Sequence, residues 1–290
     1  MLRYLDHHSG PDSGRNNIVS VTNTFKIEGP NGTHTCYVSH VGGPSMAQLI
    51  RTAWQVAGSR QLRGALTQRL AKQLTEAKRP SPSFGTDSWS LDEVYRQLGD
   101  PRQEEVFSAS GEAPGIHAPK YLVQPTSFSK LEPKHFSQDM VLIDLGEAFL
   151  AASPPRKGEG TPNKHASPEL PLAKQASMWS ENRAFGCTMF EMRSGFPLFE
   201  SWLGNDSHVL EQIVRTLGKP PESLCAAFEK RGTAVTNVKG AGRYSLVDQV
   251  SEVGAEDEPP LRGEAPTRPW MEAPDTRPSS EEVRCLAGLL

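Results

Sequence analysis

The sequence predicts a protein of the α+β class, and three observations lead to this prediction. Residues 25–27 and 33–39 are runs with strand-forming composition that flank EGPNG, and the dipeptide Asn31-Gly32 favours a two-residue hairpin turn. Apolar residues recur at helical spacing in several later segments. The hydrophobic fraction of 36% in 290 residues is sufficient to form a core. We therefore expect one β-hairpin followed by a mainly helical region.

Two helices are predicted directly after the hairpin. Ser45 followed by Gln48 forms a capping-box pattern, with apolar residues at helical spacing behind it. A second, amphipathic helix ends at about residue 77, before Pro80, because proline cannot continue a helix. Its apolar face consists of leucines at every fourth position: Leu62, Leu66, Leu70 and Leu74.

The region from about residue 78 to 138 is interpreted as an insertion. Ser90 and Glu93 form another capping box, which begins a helix that Gly99 ends. The remainder is rich in proline, serine and glycine, so we expect it to be mostly irregular.

The apolar residues 140–143 predict a short buried strand that ends at Asp144. Asp144-Leu145-Gly146 then turns the chain, and Gly146 can adopt backbone angles that a residue with a Cβ avoids. A carboxylate at the exit of a buried strand is well placed to bind a hard cation such as magnesium. The alternative is a solvated turn aspartate.

The second half of the chain predicts further helices. Residues 177–194 are apolar on more than one side, which is typical of a buried central helix. Helices are also expected over residues 206–217 and 221–230. Residues 231–278 are rich in glycine, proline and charge and predict a disordered loop. A last helix is expected over 279–290, which Ser279 and Glu282 begin as a capping pair, as the start of a truncated element.

Composition excludes several classes of protein. No 18-residue apolar run occurs and the mean hydropathy is −0.50, so no membrane span is expected. The N-terminus lacks the apolar region of a signal peptide, which indicates a cytoplasmic or nuclear protein. A net charge of −3 gives no reason to expect nucleic acid as a partner. The four cysteines are scattered singly and are interpreted as reduced, buried thiols.

Several motifs, taken in order, resemble a protein kinase from its hinge through its large lobe. DLGEAF, GTPNKHASPEL and FGCTMFEMRSGFPLF, together with FKIEGPNGTHTCYV, resemble the serine/arginine-rich (SR) protein kinase family, in particular its divergent fungal members. The likeness covers roughly residues 1–230. It implies a protein-kinase-like fold in which residues 1–43 are a remnant of the small lobe and hinge, and residues 44–230 correspond to the large lobe.

The resemblance also implies site residues by position. Asp144 would hold magnesium, and Ser39 would occupy the gatekeeper position. Main-chain atoms of His40 and Gly42 would face the adenine of ATP. The remaining positions would belong to the metal loop and activation segment: Gly146, Gly160, Thr161, Pro162, Pro168 and Glu169.

Several parts that a kinase needs are not found in the sequence. No His-x-Asp occurs between residues 77 and 144, where the catalytic loop should lie, so no catalytic residue is assigned. We expect the glycine-rich loop to be missing as well, because too few residues precede the hairpin to form three earlier strands. The phosphate-pairing lysine is expected to be missing with it, since the nearest candidate, Lys26, lies in a hairpin strand. Where the family has an aspartate and a tryptophan in the central helix, which hold the backbone of the catalytic loop, this chain has Ser180-Glu181-Asn182-Arg183. Burying Asn182 and Arg183 there without partners would be costly. The arginine that normally pairs with Glu169 would lie beyond the last residue.

These features predict a kinase-derived protein without phosphotransfer activity, a pseudokinase or relic that acts by binding and uses no cofactor. The alternative is an active serine/threonine kinase, dependent on magnesium and ATP, whose catalytic segments are missing from this sequence. A protein unrelated to kinases is the third class, although no motif supports a hydrolase. An Arg/Ser-rich protein is the expected partner, unless the acidic positions proposed to face it form an ordinary solvated surface: Asp206, Glu211, Glu222 and Glu229.

Overall fold

The structure is a computed structural model. It describes residues 18–40, 42–50, 59–75, 89–112, 114–126, 135, 140–150, 152–153, 160–170, 177–200, 206–230, 244–255, 271–273 and 275–289. Predictions for the end of the first helix after residue 50, for Pro80 and for most of the 231–278 loop lie outside these residues.

The described residues belong to two compact units. The hairpin unit contains residues 18–45 and 72–143, and the helical unit contains residues 46–71 and 144–289. Both helices and strands are present, as the α+β prediction requires. The kinase-like fold and its division at residue 43 stay predictions.

The hairpin unit begins with the predicted β-hairpin. Strand β1 (Val21–Gly29) pairs antiparallel with β2 (Gly32–Ser39), and Gly29 pairs with Gly32. The two-residue turn is therefore Pro30-Asn31, one residue earlier than predicted. Proline explains the shift, because its fixed negative φ suits the first turn position, and Gly32 then takes the positive φ of 104°.

The helix predicted from the leucine pattern begins two residues later than Leu62. Residues 46–50 are helical as predicted, and α1 spans Gly64–Thr75. Leu62 is not helical but forms an isolated bridge with Met271. Helix α2 (Leu91–Leu98) confirms the prediction at Ser90, whose hydroxyl accepts a hydrogen bond from the Glu93 amide at 3.2 Å, and Gly99 ends it.

The insertion is less irregular than predicted. Strands β3 (Gln103–Glu105) and β4 (Tyr121–Val123) pair antiparallel in a second two-stranded sheet. A hydrogen bond from the Asn31 side-chain Nδ2 to the backbone carbonyl of His117, at 3.1 Å, connects the first hairpin to the loop before β4. Short strands joined by a long loop lack the turn signals by which a hairpin is recognised in a sequence.

The predicted buried strand over residues 140–143 is wrong. Met140 is buried, but Ile143 is 60% exposed, and Leu142 forms only an isolated parallel bridge with Ile18. A single bridge does not make a ladder, so this apolar run stays an extended connection. The turn after it is confirmed as a 3₁₀ turn, Leu145–Glu147.

The helical unit contains five further helices among its described residues: α3 (Met178–Ser194), α4 (Asp206–Leu217), α5 (Glu222–Glu229), α6 (Leu246–Ser251) and α7 (Ser280–Leu289). Ser177 caps α3 with a complete capping box. Gly195 ends it with a φ of 78°, where a Cβ would collide with the backbone of Arg60.

The core of this unit lies between α3, α4, α5 and α6. Helix α7 covers it with three partly buried residues, Val283, Leu286 and Ala287. The prediction that α3 is buried holds for its second half but not for its first turn, where Trp179 is 78% exposed. The buried members of the core are Cys187, Phe190, Leu198, Phe199, Val209, Leu210, Ile213, Val214, Cys225, Phe228, Leu246, Val250 and Val253.

Two further predictions need correction. Residues 231–278 are not simply a disordered loop, because α6 lies within them and Met271 is buried against the fold. All four cysteines are free, but only Cys187 and Cys225 are buried, whereas Cys285 is exposed. The sequence did not reveal α6 because six residues, 246–251, are too few to show a helical pattern of apolar residues between polar segments.

Candidate functional site

Asp144 is the residue on which the predicted metal site depends. Its side chain is exposed, and its backbone is left-handed, with φ 59° and ψ 55°. Gly146, which was expected to use the freedom of a glycine, does not have a positive φ. Aspartate tolerates the left-handed conformation better than most residues, and non-glycine residues held there are frequent at functional sites.

Asp144 does not belong to a metal-binding group among the residues that the structure describes. Within that part of the chain, no group of three or more His, Cys, Asp or Glu side chains could hold a metal ion. Magnesium and calcium take six or more oxygen ligands and need more than one protein carboxylate for firm binding unless a phosphate ligand supplies the rest. Asp144 by itself therefore offers at most a weak site.

The predicted hinge residues belong to the hairpin unit, whereas Asp144 belongs to the helical unit. Ser39 ends β2, and its hydroxyl donates to the carbonyl oxygen of His40 at 3.3 Å. Ser39, His40 and Gly42 are all exposed.

The predicted activation-segment residues form two consecutive turns. The amides of His165 and Ala166 donate to the carbonyl of Pro162 at 2.8 and 3.0 Å. The second turn, at Pro168 and Glu169, ends with the Leu170 amide donating to the carbonyl of Ser167 at 3.1 Å. Gly160 and Thr161 precede the first turn, and neither donates nor accepts in the backbone hydrogen bonds that define it.

These turns position a cation and an imidazole against Glu191 of α3. Lys164 Nζ lies 2.8 and 2.9 Å from the two carboxylate oxygens, and His165 Nε2 lies 2.8 Å from Oε2. Because a carboxylate only accepts, Nε2 carries the hydrogen. The hydrogen bond from His165 lowers the pKa of Glu191, burial opposes this, and Lys164 lowers it further. The three groups attach the 162–166 turn to the central helix.

The pKa of Glu191 leads to a prediction for acid stability. Because the folded pKa is lowered, Glu191 stabilises the fold above its unfolded pKa, and this contribution is lost as the pH falls through the folded value. We expect the difference in unfolding free energy between wild type and Glu191→Gln to be constant at neutral pH and to shrink below about pH 4.3. Denaturant titrations at a series of pH values measure it.

Glu181→Gln provides the control for this prediction, since Glu181 is an exposed acid in the first turn of the same helix. The unfolding free energy of Glu181→Gln should differ little from that of wild type at every pH. A Glu191→Gln difference that did not shrink in acid would show that the carboxylate charge is not what stabilises the turn.

Arg183 lies two turns before Glu191 in α3, and Cys187 is between them. The Arg183 guanidinium lies 4.8 Å from the centroid of the Phe199 ring. Burial lowers the pKa of Arg183, and the nearby Glu169 opposes this. Its Nε and one Nη atom are buried without a hydrogen-bond partner. Asn182 is exposed, so the expected cost of burying both residues applies to Arg183 alone.

Arg183 also brings a positive charge near Glu169. The expectation that Glu169 lacks the arginine with which it normally pairs stays a prediction. Arg183 attracts Glu169 at longer range, and its guanidinium mainly contacts an aromatic ring. Cys187 is fully buried, and burial raises the pKa of its thiol. A buried thiol held neutral is chemically inert, so this part of α3 is structural.

A second polar cluster surrounds Arg193, near the end of α3. Its Nη1 donates to the side-chain oxygen of Gln61 at 2.6 Å and its Nε to Glu282 at 3.2 Å. A carboxylate oxygen of Glu272 lies 4.0 Å from Nη2. Burial raises the pKa of Glu282, but the Ser279 amide and the charge of Arg193 together lower it. This arrangement attaches α7 and the segment around residue 272 to the central helix.

Sequence reasoning did not identify either polar cluster. The adjacent Lys164 and His165 within GTPNKHASPEL were visible as part of a motif, but nothing in the sequence indicated that both would contact Glu191. Glu282 was recognised for its capping role, which the structure confirms through a 3.2 Å hydrogen bond to the Ser279 hydroxyl. Neither cluster combines an exposed nucleophile with a base, so neither indicates catalysis.

Comparisons with known proteins give no family assignment: no family model matches the chain, and no curated protein is significantly similar to it. Within the described part of the chain, no helix combines the length and the apolar character needed to cross a membrane.

Proposed function

We propose that the chain is a kinase-derived binding module, related to the SR protein kinases, that does not transfer phosphate. One observation carries this proposal. Asp144, at the position of the metal-holding aspartate, keeps an exposed carboxylate on a left-handed backbone, and the described residues include no metal-binding group. A loop that keeps an uncommon backbone without the partners for its chemistry is consistent with loss of an ancestral activity.

Loss of activity follows from what phosphoryl transfer requires. The reaction depends on positioning ATP and the acceptor hydroxyl and on stabilising charge in the transition state. Neither a catalytic-loop aspartate nor its asparagine occurs in a His-x-Asp context between α1 and Asp144. These are the residues with which a kinase orients the acceptor hydroxyl and binds the second metal. Magnesium and ATP would act here only if the kinase site were completed.

The proposed partner is an Arg/Ser-rich protein, but the acidic surface expected to face it offers less free charge than the sequence suggests. Glu211 already pairs with Arg215 within α4, one turn away. Glu222 is exposed in the first turn of α5. The side chain of Asp206 is outside the described residues. Glu229, the last residue of α5, is exposed as well, so Glu222 and Glu229 are the described carboxylates of α5 through which a partner would be recognised.

The proposal is tested by thermal unfolding of the chain with and without magnesium and ATP in excess. A ligand that binds the folded state stabilises it by about 2.7 kcal/mol at a concentration one hundred times its Kd. For a chain of this size that would raise Tm by several degrees. We expect no rise, because the phosphates have no cradle.

Asp144→Asn is the matched variant, because it removes the carboxylate charge and keeps the size of the side chain. A rise in Tm with wild type that disappears in Asp144→Asn would overturn the proposal and favour the active-kinase alternative. An equal rise in Tm for wild type and Asp144→Asn would show that nucleotide binds at another site. It would also contradict the expectation that the chain has no affinity for nucleotide.

A further inference from the structure

The outer edge of strand β2 is open in the part of the chain that the structure describes. Strands β1 and β2 form a sheet of two strands, and no third described strand joins it. Every residue of β2 is exposed except Cys36, which is half-buried. A two-stranded ribbon is marginally stable by itself, and an open edge presents unpaired backbone groups to another strand.

The composition of β2 leaves this edge unprotected. Strand β2 contains no Lys, Arg, Asp, Glu or Pro and is rich in threonine, tyrosine and valine, which favour strands. Strand β1, by contrast, carries Lys26 and Glu28. Charged side chains are one of the devices by which proteins prevent edge strands from pairing. The edge of β2 is therefore the one that can accept a further strand.

The hairpin turn determines which residues of β2 can bind such a strand. Because a two-residue turn joins Gly29 to Gly32, these residues form a hydrogen-bonded pair, and pairs of this type alternate along the ladder. The even-numbered residues of β2 therefore direct their backbone groups towards β1. Those of the odd-numbered residues point to the open edge: Thr33, Thr35, Tyr37 and Ser39.

We propose that β2 pairs antiparallel with β2 of a second copy of this chain, in a symmetric register centred on Cys36. Outward-pointing residues must face each other in such a pair. The register centred on Cys36 pairs all four of them, Thr33 with Ser39 and Thr35 with Tyr37, each pair formed twice. Registers centred on Thr35 or Tyr37 pair three residues of each copy and form fewer hydrogen bonds.

Charge and symmetry favour a second copy as the occupant of this edge. An uncharged strand meets no like charges when it pairs with itself. Thr35 opposite Tyr37 combines a β-branched and an aromatic side chain, which is a favourable cross-strand pair. The assembly ends at two copies, because the edges that remain belong to β1 and carry Lys26 and Glu28.

This register places the Cys36 residues of the two copies directly opposite each other. Cys36 is a free thiol whose own backbone groups point to β1, so the two residues form a non-hydrogen-bonded pair. Their Cα atoms would be about 4.5 Å apart, which is within the range of a disulfide. The two Thr33 residues, at opposite ends of the paired segment, would be about 20 Å apart.

The inference goes beyond the proposed function and does not depend on it. Pairing of two β2 strands requires neither nucleotide nor an Arg/Ser-rich partner, and it involves no residue of the Asp144 loop. Nucleotide titrations and measurements of self-association can therefore fail independently.

The first experiment is sedimentation velocity of the full chain at a series of concentrations under reducing conditions. We expect a monomer–dimer equilibrium with a Kd of about 1 μM or weaker, because one strand from each copy buries a small interface. Thr35→Pro should weaken the dimer by about tenfold or more, since each copy loses an edge N–H. Lys26→Pro is the matched control, because Lys26 lies opposite Thr35 on the other edge of the hairpin, and it should leave dimerisation unchanged.

Oxidation with diamide tests the register. Cys285→Ser removes the exposed thiol of α7, and Cys187 and Cys225 are buried, so Cys36 is the accessible thiol that remains. Diamide should link two copies of this protein through Cys36. Moving the thiol, by Thr33→Cys together with Cys36→Ser in the same background, should abolish the linked dimer, because the two thiols would be about 20 Å apart.

Circular dichroism shows whether each variant is folded, and the oxidation test uses no proline variant. A chain that stays monomeric at every concentration and gives no linked dimer would overturn the proposal. So would a dimer as stable in folded Thr35→Pro as in wild type, or one that Lys26→Pro weakens equally. Linkage at position 33 as fast as at Cys36 would overturn the register.

Discussion

Replacing Arg193 by alanine is expected to lower the free energy of unfolding by about 3–5 kcal/mol, the range for breaking a buried charge pair from one side. Arg193 is 2% exposed and touches three separate segments through Gln61, Glu272 and Glu282. Its removal leaves the Gln61 oxygen without this donor and two partly buried carboxylates close together. Urea unfolding followed by circular dichroism measures the loss.

Arg215→Ala is the matched control, because Arg215 is also a helical arginine that pairs with a glutamate but is exposed. It should cost about 0.5 kcal/mol or less. A second variant, Arg193→Met with Glu282→Gln, should recover part of the loss, since it removes the charge from both partners and keeps an unbranched side chain. If Arg193→Ala were as mild as Arg215→Ala, the cluster would not hold α7 and residue 272 in place.

The sequence predicted best those features that depend on neighbouring residues. Ser90, Ser177 and Ser279 were placed at helix starts, and each hydroxyl accepts a hydrogen bond from an amide three residues later, at 3.2 Å in all three cases. Gly99 and Gly218 end helices with positive φ. Capping depends on geometry within one turn, so sequence spacing is sufficient to detect it.

The predictions that failed depended on distant partners. The apolar run at 140–143 has the composition of a buried strand, but in the described part of the chain its pairing is limited to the isolated bridge between Leu142 and Ile18. The pairing of β3 with β4 joins residues separated by a long loop. Tertiary contacts decide whether a segment is buried and paired. Strand propensity reflects this packing more than an intrinsic preference of the backbone, so it does not identify the partner.

The candidate site shows the same division. A turn at Asp144-Leu145-Gly146 was expected and is present, but the left-handed residue is Asp144 rather than the glycine. Glycine permits that conformation without requiring it, so composition located the turn and not its geometry. Arg193 lies in a helix interpreted as apolar, and its partner Glu282 is 89 residues away. No local pattern predicts such a pair.

Leu62→Ala is expected to destabilise the chain by about 2–5 kcal/mol, the range for deleting a buried leucine side chain. Leu62 is 0% exposed and bridges Met271, in the region predicted to be disordered. Adjacent hydrogen bonds reinforce this contact: the Glu272 amide donates to the Gln61 carbonyl at 2.9 Å, and Arg63 Nε donates to the Met271 carbonyl at 3.0 Å. Urea titration measures the loss.

Met271→Ala determines whether the loss at Leu62 comes from this contact. If Met271 packs on Leu62, the methionine variant should be destabilised by a similar amount, and the double variant by less than the sum, because neighbours that share a cavity are not additive. Leu217→Ala, at a 42% exposed leucine that ends α4, should change stability far less. A Met271→Ala protein as stable as wild type would mean that residues 271–273 do not contribute to the folded unit, and Arg193 would then lose Glu272 as a partner.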